Sequence, residues 1–347
     1  MIHRSIQLGN RKVGDGQPVL ISLEAGATHT GIESAKQLAQ AAADGGADAI
    51  KWQTVNADAL MADKSQMIKY KTDKGEEREE TVYQALKRRE LTPDQWRELK
   101  AFCDELGLIF ISTPDSKETI DLLVEIKADA LKVSKSDINH FYMVEYMAKT
   151  GLPVILDGRE KFDDVERCIS IMEAEKNENI IVMHCPSGYP AEHAGIHLNT
   201  IPQIKNIFGY PAAYSDHSVG ESMNFAAIAL GANMLEKTIT LDRGTDAVEH
   251  SMSLEPDEIA GFVERIRNVE AAMGNPRIIF NSRVKPDLRR SMFAARDISE
   301  GEVISIDDLD FRRPGTHYAA EHYKEVVGKS AGRHIEAGQP ILPDDIH

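Results

Sequence analysis

Residues 211–238 read PAAYSDHSVGESMNFAAIALGANMLEKT, and their pattern decides the fold. A short apolar run (PAAYSDH, 211–217) breaks into polar residues, a helix-period segment follows, and a second apolar run (ANMLEKT, 232–238) ends the same way. Each run is apolar on both faces in its first half, as a strand buried in a parallel sheet must be. The rhythm extends outward through VLISLEAG (19–26), DAIKWQT (48–54), LIFISTP (108–114), DALKVSKS (129–136), PVILDG (153–158) and IIVMHCP (180–186). Between the runs lie apolar helical stripes. One is Ile32, Ala35, Leu38, Ala39 and Ala42, ended by Gly45-Gly46; another is Ile259, Phe262, Val263, Ile266 and Val269, begun near Pro256 and ended at Gly274. Eight strand–helix units in about 260 residues predict an α/β fold, a (β/α)8 TIM barrel. A doubly wound open sheet is the competing arrangement. No GxGxxG follows the first run, which counts against dinucleotide binding.

The expected barrel covers residues 1–276. A linker is expected over 277–290, within NPRIIFNSRVKPDLRRS, and a small β-rich module over 291–347. The module carries an internal repeat: DISEGEVISIDDL (297–309) resembles HIEAGQPILPDDI (334–346). Each copy reads as a short strand, a glycine turn, a second short strand and a helical turn. Residues 55–90 are too long and too charged for a simple strand-to-helix loop and suggest a lid over the barrel mouth.

The 347 residues carry a formal charge of −16, which argues against nucleic-acid or anionic-membrane binding. Hydrophobic residues make up 42%, enough for a sizeable core. Cys103, Cys168 and Cys185 are far apart and odd in number, as expected of reduced thiols in a cytoplasmic protein. The N-terminal stretch MIHRSIQLGNRKVGDGQ has no apolar core of a signal peptide, and no run is long enough for a membrane span.

In a TIM barrel the reactive side chains stand where strands end. Those positions hold Glu24, Lys51, Gln53, Thr113, Lys132, Lys135, Asp157, Arg159, His184, Ser187, Tyr189, Ser215, Asp216, His217, Glu236, Lys237 and Thr238. Several lysines converging in one mouth of an acidic protein would make a focused site for phosphate and carboxylate. Lys132 or Lys237 could instead serve as a Schiff-base lysine.

The motifs EAGATHTG (24–31), GADAIKWQT (46–54), ISTPDS (111–116), LKVSKSD (131–137), HCPSGYP (184–190), YSDHSVG (214–220), ALGANMLEK (229–237) and RRPGT (312–316) together resemble the N-acetylneuraminate (sialic acid) synthase family, which includes legionaminate and pseudaminate synthases. The resemblance covers nearly the whole chain, and the C-terminal module resembles the family's antifreeze-like (SAF) domain. It implies condensation of phosphoenolpyruvate with an N-acyl hexosamine-type aldose. The product is a nine-carbon 2-keto acid, with phosphate released. By position, the resemblance makes Lys51, Lys132, Thr113 and Ser215 phosphoenolpyruvate ligands. It places Glu24, Gln53 and Tyr189 at the substrate, with Ser187 and Glu249 also substrate-binding. Glu24, Asp137 and His217 become catalytic, with Asp137 a candidate for proton transfer. Arg313 would reach the sugar site of a partner across a domain-swapped homodimer.

The resemblance also implies a divalent metal, manganese or magnesium, held by two histidines. One matches His217; the other position holds Thr238, in Glu236-Lys237-Thr238, so the second ligand is lost or replaced by Glu236, His250 or water. Lys135-Ser136, Asp157-Gly158-Arg159 and Ser187 also depart from the family pattern, in the substrate mouth. They suggest a divergent member whose sugar is acidic or phosphorylated. The alternatives are a class I aldolase acting through Lys132 or Lys237, and a non-catalytic sugar-binding relic.

Overall fold

The computed structural model describes residues 4–158, 161–274 and 285–347. Eight parallel strands close into a barrel in chain order. They are β1 (Leu20–Glu24), β2 (Ala49–Thr54), β3 (Ile109–Pro114), β4 (Ala130–Val133), β5 (Val154–Asp157), β6 (Ile180–His184), β7 (Ala212–Asp216) and β8 (Met234–Thr238). Each lies within one of the eight apolar runs. β8 pairs with β1 to close the ring, with Thr238 opposite Glu24. The helices that cover the strands are α1 (Ile32–Asp44), α2 (Pro93–Glu105), α3 (Lys117–Glu125), α4 (Phe141–Lys149), α5 (Phe162–Ala174), α6 (Thr200–Phe208), α7 (Ser222–Ala229) and α8 (Pro256–Met273).

Strand alternation sorts every side chain to the lumen or to the strand–helix layer. Leu20, Ala49, Ile109, Ile111, Ala130, Ile155, Ile181, Met183, Ala213 and Met234 pack together inside the barrel. Their neighbours Ile21, Ile50, Phe110, Leu131, Leu156, Val182, Tyr214 and Leu235 pack outward with the helices. The N-terminal residues add a hairpin, Ile6–Leu8 against Arg11–Val13. Its Ile6, Leu8 and Val13 join the lumen cluster, so the hairpin plugs the N-terminal end with apolar side chains. The lumen is therefore a packed core at that end, and polar groups enter it only towards the C-terminal ends of the strands.

The insertion after β2 is ordered. A short helix (Ala57–Leu60), an antiparallel hairpin (Met67–Lys71 with Glu77–Thr81) and a second helix (Val82–Lys87) fill it. Tyr70 is buried and donates its hydroxyl to Asp246 in the segment after β8, 3.2 Å to the carbonyl and 3.1 Å to Oδ1. The hairpin is thus tied down on the side of the barrel where β8 ends.

The chain divides into two compact units, Met1–Met273 and Gly274–His347. Of the expected linker, residues 277–284 lie outside the described residues; Pro286–Leu288 form a 3-10 turn. In the second unit Ser291–Ala294 pairs antiparallel with Leu309–Arg312. The sequence repeat has a structural counterpart. Ile298 and Ile335, equivalent in the two copies, exchange backbone hydrogen bonds of 2.8 and 2.9 Å. Each copy ends in a 3-10 turn, at Ile306–Asp308 and Pro343–Asp345. Each turn's buried aspartate pairs with the Nε of the arginine just before its copy: Arg296 to Asp308 at 2.7 Å and Arg333 to Asp345 at 2.6 Å. Met292, Ile298, Ile304, Val326, Ile335 and Ile341 fill a small separate core.

Candidate active site

The lumen positions at the C-terminal end of the barrel gather most of the expected residues. Glu24, the last residue of β1, is buried and forms an ion pair with Lys51 of β2, directly across the register. Gln53, two residues on and on the same face, donates to Glu24 Oε1 at 3.3 Å. The loop after β1 presses against the end of β2: Ala25 and Gly26 both donate to Lys51 O, at 3.0 and 3.2 Å. A Cβ at Gly26 would lie 2.4 Å from Gln53 N and 2.8 Å from Glu24 Oε1, so this approach requires glycine. Thr113 stands opposite Gln53 on β3, its Oγ1 buried with no hydrogen-bond partner.

Across the lumen Lys132 of β4 donates to Glu236 Oε1 of β8 at 2.6 Å. Ser215 of β7 donates to the same oxygen at 2.8 Å. Burial alone would raise the Glu236 pKa, but the charges of Lys132 and Lys51 outweigh it and hold the carboxyl at about 2. The Lys132 ammonium is penalised by burial too, yet Glu236 holds its pKa above the ordinary lysine value. The mouth is thus not lined by free lysines: Lys51 and Lys132 each carry a buried carboxylate partner.

His217 follows β7. Its Nε2 lies 3.4 Å from Ser215 Oγ and 3.8 Å from Cys185 Sγ, and its ring sits 4.8 Å from that of Tyr189. Glu249 is half-buried and holds a left-handed backbone, φ 76°. A non-glycine residue pays roughly 1–2 kcal/mol for that conformation, and such strain concentrates at functional positions. Burial pushes the Glu249 pKa up; His217 draws it down and Glu24 adds to the rise. Asp137 accepts from Ser134 Oγ at 2.6 Å in the 3-10 turn after β4. Lys135 donates to Ser187 Oγ at 3.2 Å. Arg313 is exposed in the second unit, and Arg159 lies outside the described residues.

Three strand-end residues belong to the outer layer. His184 stacks on Tyr214 and bonds the Ile196 carbonyl. Lys237 has no exposed side-chain surface and donates to Asp216 Oδ2 at 2.9 Å and Ser218 O at 2.6 Å. Asp216 also accepts from Ser218 N at 2.9 Å and Asn224 Nδ2 at 2.6 Å. Lys237 therefore does not open into the mouth.

The donors do not form the two-histidine metal site that the resemblance implies. Among the described residues no group of three or more histidine, cysteine, aspartate or glutamate side chains is placed to hold an ion. Thr238 occupies the second position. Of the replacements considered, Glu236 is engaged by Lys132 and Ser215, and His250 Nδ1 lies 2.8 Å from Thr240 Oγ1.

One residue not expected from strand ends, Arg89, also belongs here, and His29 interacts with it electrostatically. His29, in EAGATHTG, is buried edge-on to Trp52, with Nε2 unsatisfied. Burial, reinforced by Arg89, holds its pKa at about 4; burial does the same to His250. Arg89, from the insertion, donates to Gln53 Oε1 at 3.2 Å. Both histidines are neutral in the fold, while in the unfolded chain each takes a proton below about pH 6.5. Stability is therefore expected to fall as pH drops from 6.5 towards 4, by roughly 2–3 kcal/mol for each histidine. Urea unfolding at pH 7 and 4.5 checks this, and His29→Asn should remove its share of the slope.

The comparisons agree with this architecture. Residues 38–277 match the NeuB family and residues 289–347 the SAF domain. The chain is 32% identical to MJ1065 of Methanocaldococcus jannaschii, over 98% of each chain. It is 30% identical to the N,N'-diacetyllegionaminic acid synthase of Legionella pneumophila, covering 97% of this chain and 99% of that one. The crystal structure of the N-acetylneuraminic acid synthetase of Leptospira borgpetersenii in complex with citrate superposes with a TM-score of 0.70 at 29% identity, covering 79% of this chain and 91% of that chain. A barrel of this closure and a module of this repeat, matched over nearly their full length, mean that the chain belongs to the NeuB family and carries a SAF domain at its C-terminus.

Proposed function

We propose that the protein is a nonulosonate synthase: it condenses phosphoenolpyruvate with the open-chain aldehyde of an N-acyl hexosamine-type aldose. The observation that carries this reading is the pair of buried ion pairs, Lys51–Glu24 and Lys132–Glu236, at the C-terminal mouth of one barrel. Phosphoenolpyruvate brings a carboxylate and a phosphate. Each can take over a lysine, with Thr113 Oγ1 and Ser215 Oγ supplying neutral donors. Anionic substrate beside Glu24 or Glu236 makes the protonated carboxyl the cheaper form, so substrate binding would leave a proton on the displaced carboxyl.

Glu24 is the better placed for catalysis, because Gln53 already orients it. In this reading C3 of phosphoenolpyruvate attacks the aldehyde carbon and the aldehyde oxygen takes the Glu24 proton. Water then adds at C2 and yields its proton to a carboxylate, with Asp137 or Glu24 as acceptor. The tetrahedral intermediate expels phosphate and leaves the 2-keto acid. Tyr189, Ser187 and Glu249 would bind the acceptor. Arg313 would reach the acceptor site of a partner in a domain-swapped homodimer. Relatives of this family generally use a divalent metal, manganese or magnesium. The donor set at Thr238 does not match the implied two-histidine site, so no step above passes through one.

The lysines count against a class I aldolase. A Schiff-base lysine must be neutral and accessible; Lys132 is held protonated by Glu236, and Lys237 is sealed beneath Asp216. The test is phosphate release from phosphoenolpyruvate with a panel of N-acyl hexosamines, each with manganese and with a chelator. Release that requires the sugar is expected. A pyruvate adduct trapped by borohydride on either lysine, without sugar-dependent release, would sink the reading.

A further inference from the structure

Arg89 is a cation with an incomplete set of partners. It lies just beyond the helix Val82–Lys87, at the inner end of the insertion. Its Nε donates to Ala85 O at 2.8 Å and its Nη1 to Gln53 Oε1 at 3.2 Å, which uses two of its five N–H donors. Among the described residues no carboxylate forms an ion pair with it. The acids that act on it electrostatically are committed or weakened: Glu24 is held by Lys51, and burial pushes the Glu249 pKa up. Desolvation accordingly dominates the environment of the guanidinium although its side chain is only half-buried.

A cation taken out of water without a counter-charge is costly, and the cost is recovered when a ligand brings the anion. The location says which ligand. Arg89 interacts electrostatically with Glu24, Glu249, Tyr189 and His29, around the proposed acceptor end of the mouth. Phosphoenolpyruvate is assigned to Lys132, Ser215 and Lys51. Arg89 also fixes Gln53. As a donor-only group it faces the amide oxygen, which turns the Gln53 amide nitrogen to Glu24.

We propose that Arg89 is a specificity-determining residue that binds an anionic substituent, a phosphate ester or a carboxylate, on the acceptor aldose. This rests on the condensation reading above. It assigns the recognition to a residue carried in by the insertion rather than to a strand end. The planar guanidinium fork matches either oxyanion in a bidentate contact.

The test is the initial rate of phosphate release by the full chain with three matched acceptors: an N-acyl hexosamine, its 6-phosphate and its uronic acid. The wild type is expected to favour at least one anionic acceptor over the neutral one by roughly 30-fold in kcat/KM. Arg89→Gln should lower kcat/KM for that acceptor about tenfold more than for the neutral one, and Arg89→Lys should retain part of the preference. Preference for the phosphate or for the uronic acid identifies the oxyanion. Equal use of neutral and anionic acceptors, or equal losses for all three in Arg89→Gln, overturns the assignment and leaves the condensation reading standing. Silence with every acceptor counts against the condensation reading instead. Calorimetry with the non-reacting 6-phosphate and uronate alditols then decides the role of Arg89: weaker binding of either in Arg89→Gln supports it, and unchanged binding of both overturns it.

Discussion

Lys132→Met is expected to slow phosphate release from phosphoenolpyruvate by roughly 100- to 1000-fold, the usual cost of removing one preorganised charge stabiliser from a buried site. It is also expected to destabilise the barrel in a pH-dependent way. In the wild type Glu236 contributes stability that is complete above its ordinary pKa and is lost as pH falls through about 2. Without Lys132 the Glu236 carboxylate is left buried with Ser215 and the more distant Lys51. Breaking a buried pair costs about 3–5 kcal/mol. Protonating Glu236 relieves that cost, so the variant should regain stability as pH is lowered from 7 towards 5. The double variant Lys132→Met/Glu236→Gln should recover most of the stability at pH 7 and none of the activity. Recovery of both would show that the pair is structural and does not touch the substrate.

Lys237→Met is expected to do the opposite. Lys237 and Asp216 form a fully buried ion pair in the strand–helix layer. Removing the ammonium leaves Asp216 with only the donors of Ser218, Asn224 and Tyr214. A loss of about 3–5 kcal/mol follows, or roughly 10 °C in Tm. Activity measured well below the new transition should stay within about threefold of wild type, because nothing on that side of β8 faces the lumen. A variant that kept its Tm and lost activity would place Lys237 in the chemistry and revive the Schiff-base alternative.

The contrast between these two lysines shows how far the sequence could be read. Both end apolar runs, and a list of strand ends treats them alike. Counting by twos from the barrel core separates them: Ala130 and Lys132 share one face, as do Met234 and Glu236, while Leu235 and Lys237 share the other. The same count turns His184 and Asp216 outward. That signal was in the sequence and needed only one fixed inward residue per strand. The repeat in the second unit was legible for a similar reason, since equivalent isoleucines and aspartates recur at one spacing.

Other features left little local trace. The hairpin at Ile6–Val13 has three-residue strands and charged Arg11 and Lys12, with no periodic run to mark it. The second hairpin includes EREET (77–81), whose strand pairing comes from its partner and from Tyr70 rather than from propensity. Arg89 was invisible because its role depends on how an insertion folds back to Gln53. That lysines cluster in the mouth could be expected from sequence. That Lys51 and Lys132 are already matched by glutamates could not, because the matches join β1 to β2 and β4 to β8, a tertiary fact.

If carbon–carbon bond formation and phosphate loss occur together in this mouth, as proposed, the bridging oxygen of phosphoenolpyruvate leaves with the phosphorus. With phosphoenolpyruvate labelled by oxygen-18 at the C2–O–P bridge, the label is expected in inorganic phosphate, one phosphate per 2-keto acid formed. Phosphate is expected only when the aldose is present. Label lost from the phosphate would mean cleavage at phosphorus, and phosphate released without sugar would mean that its loss is uncoupled from carbon–carbon bond formation; either result overturns the condensation reading.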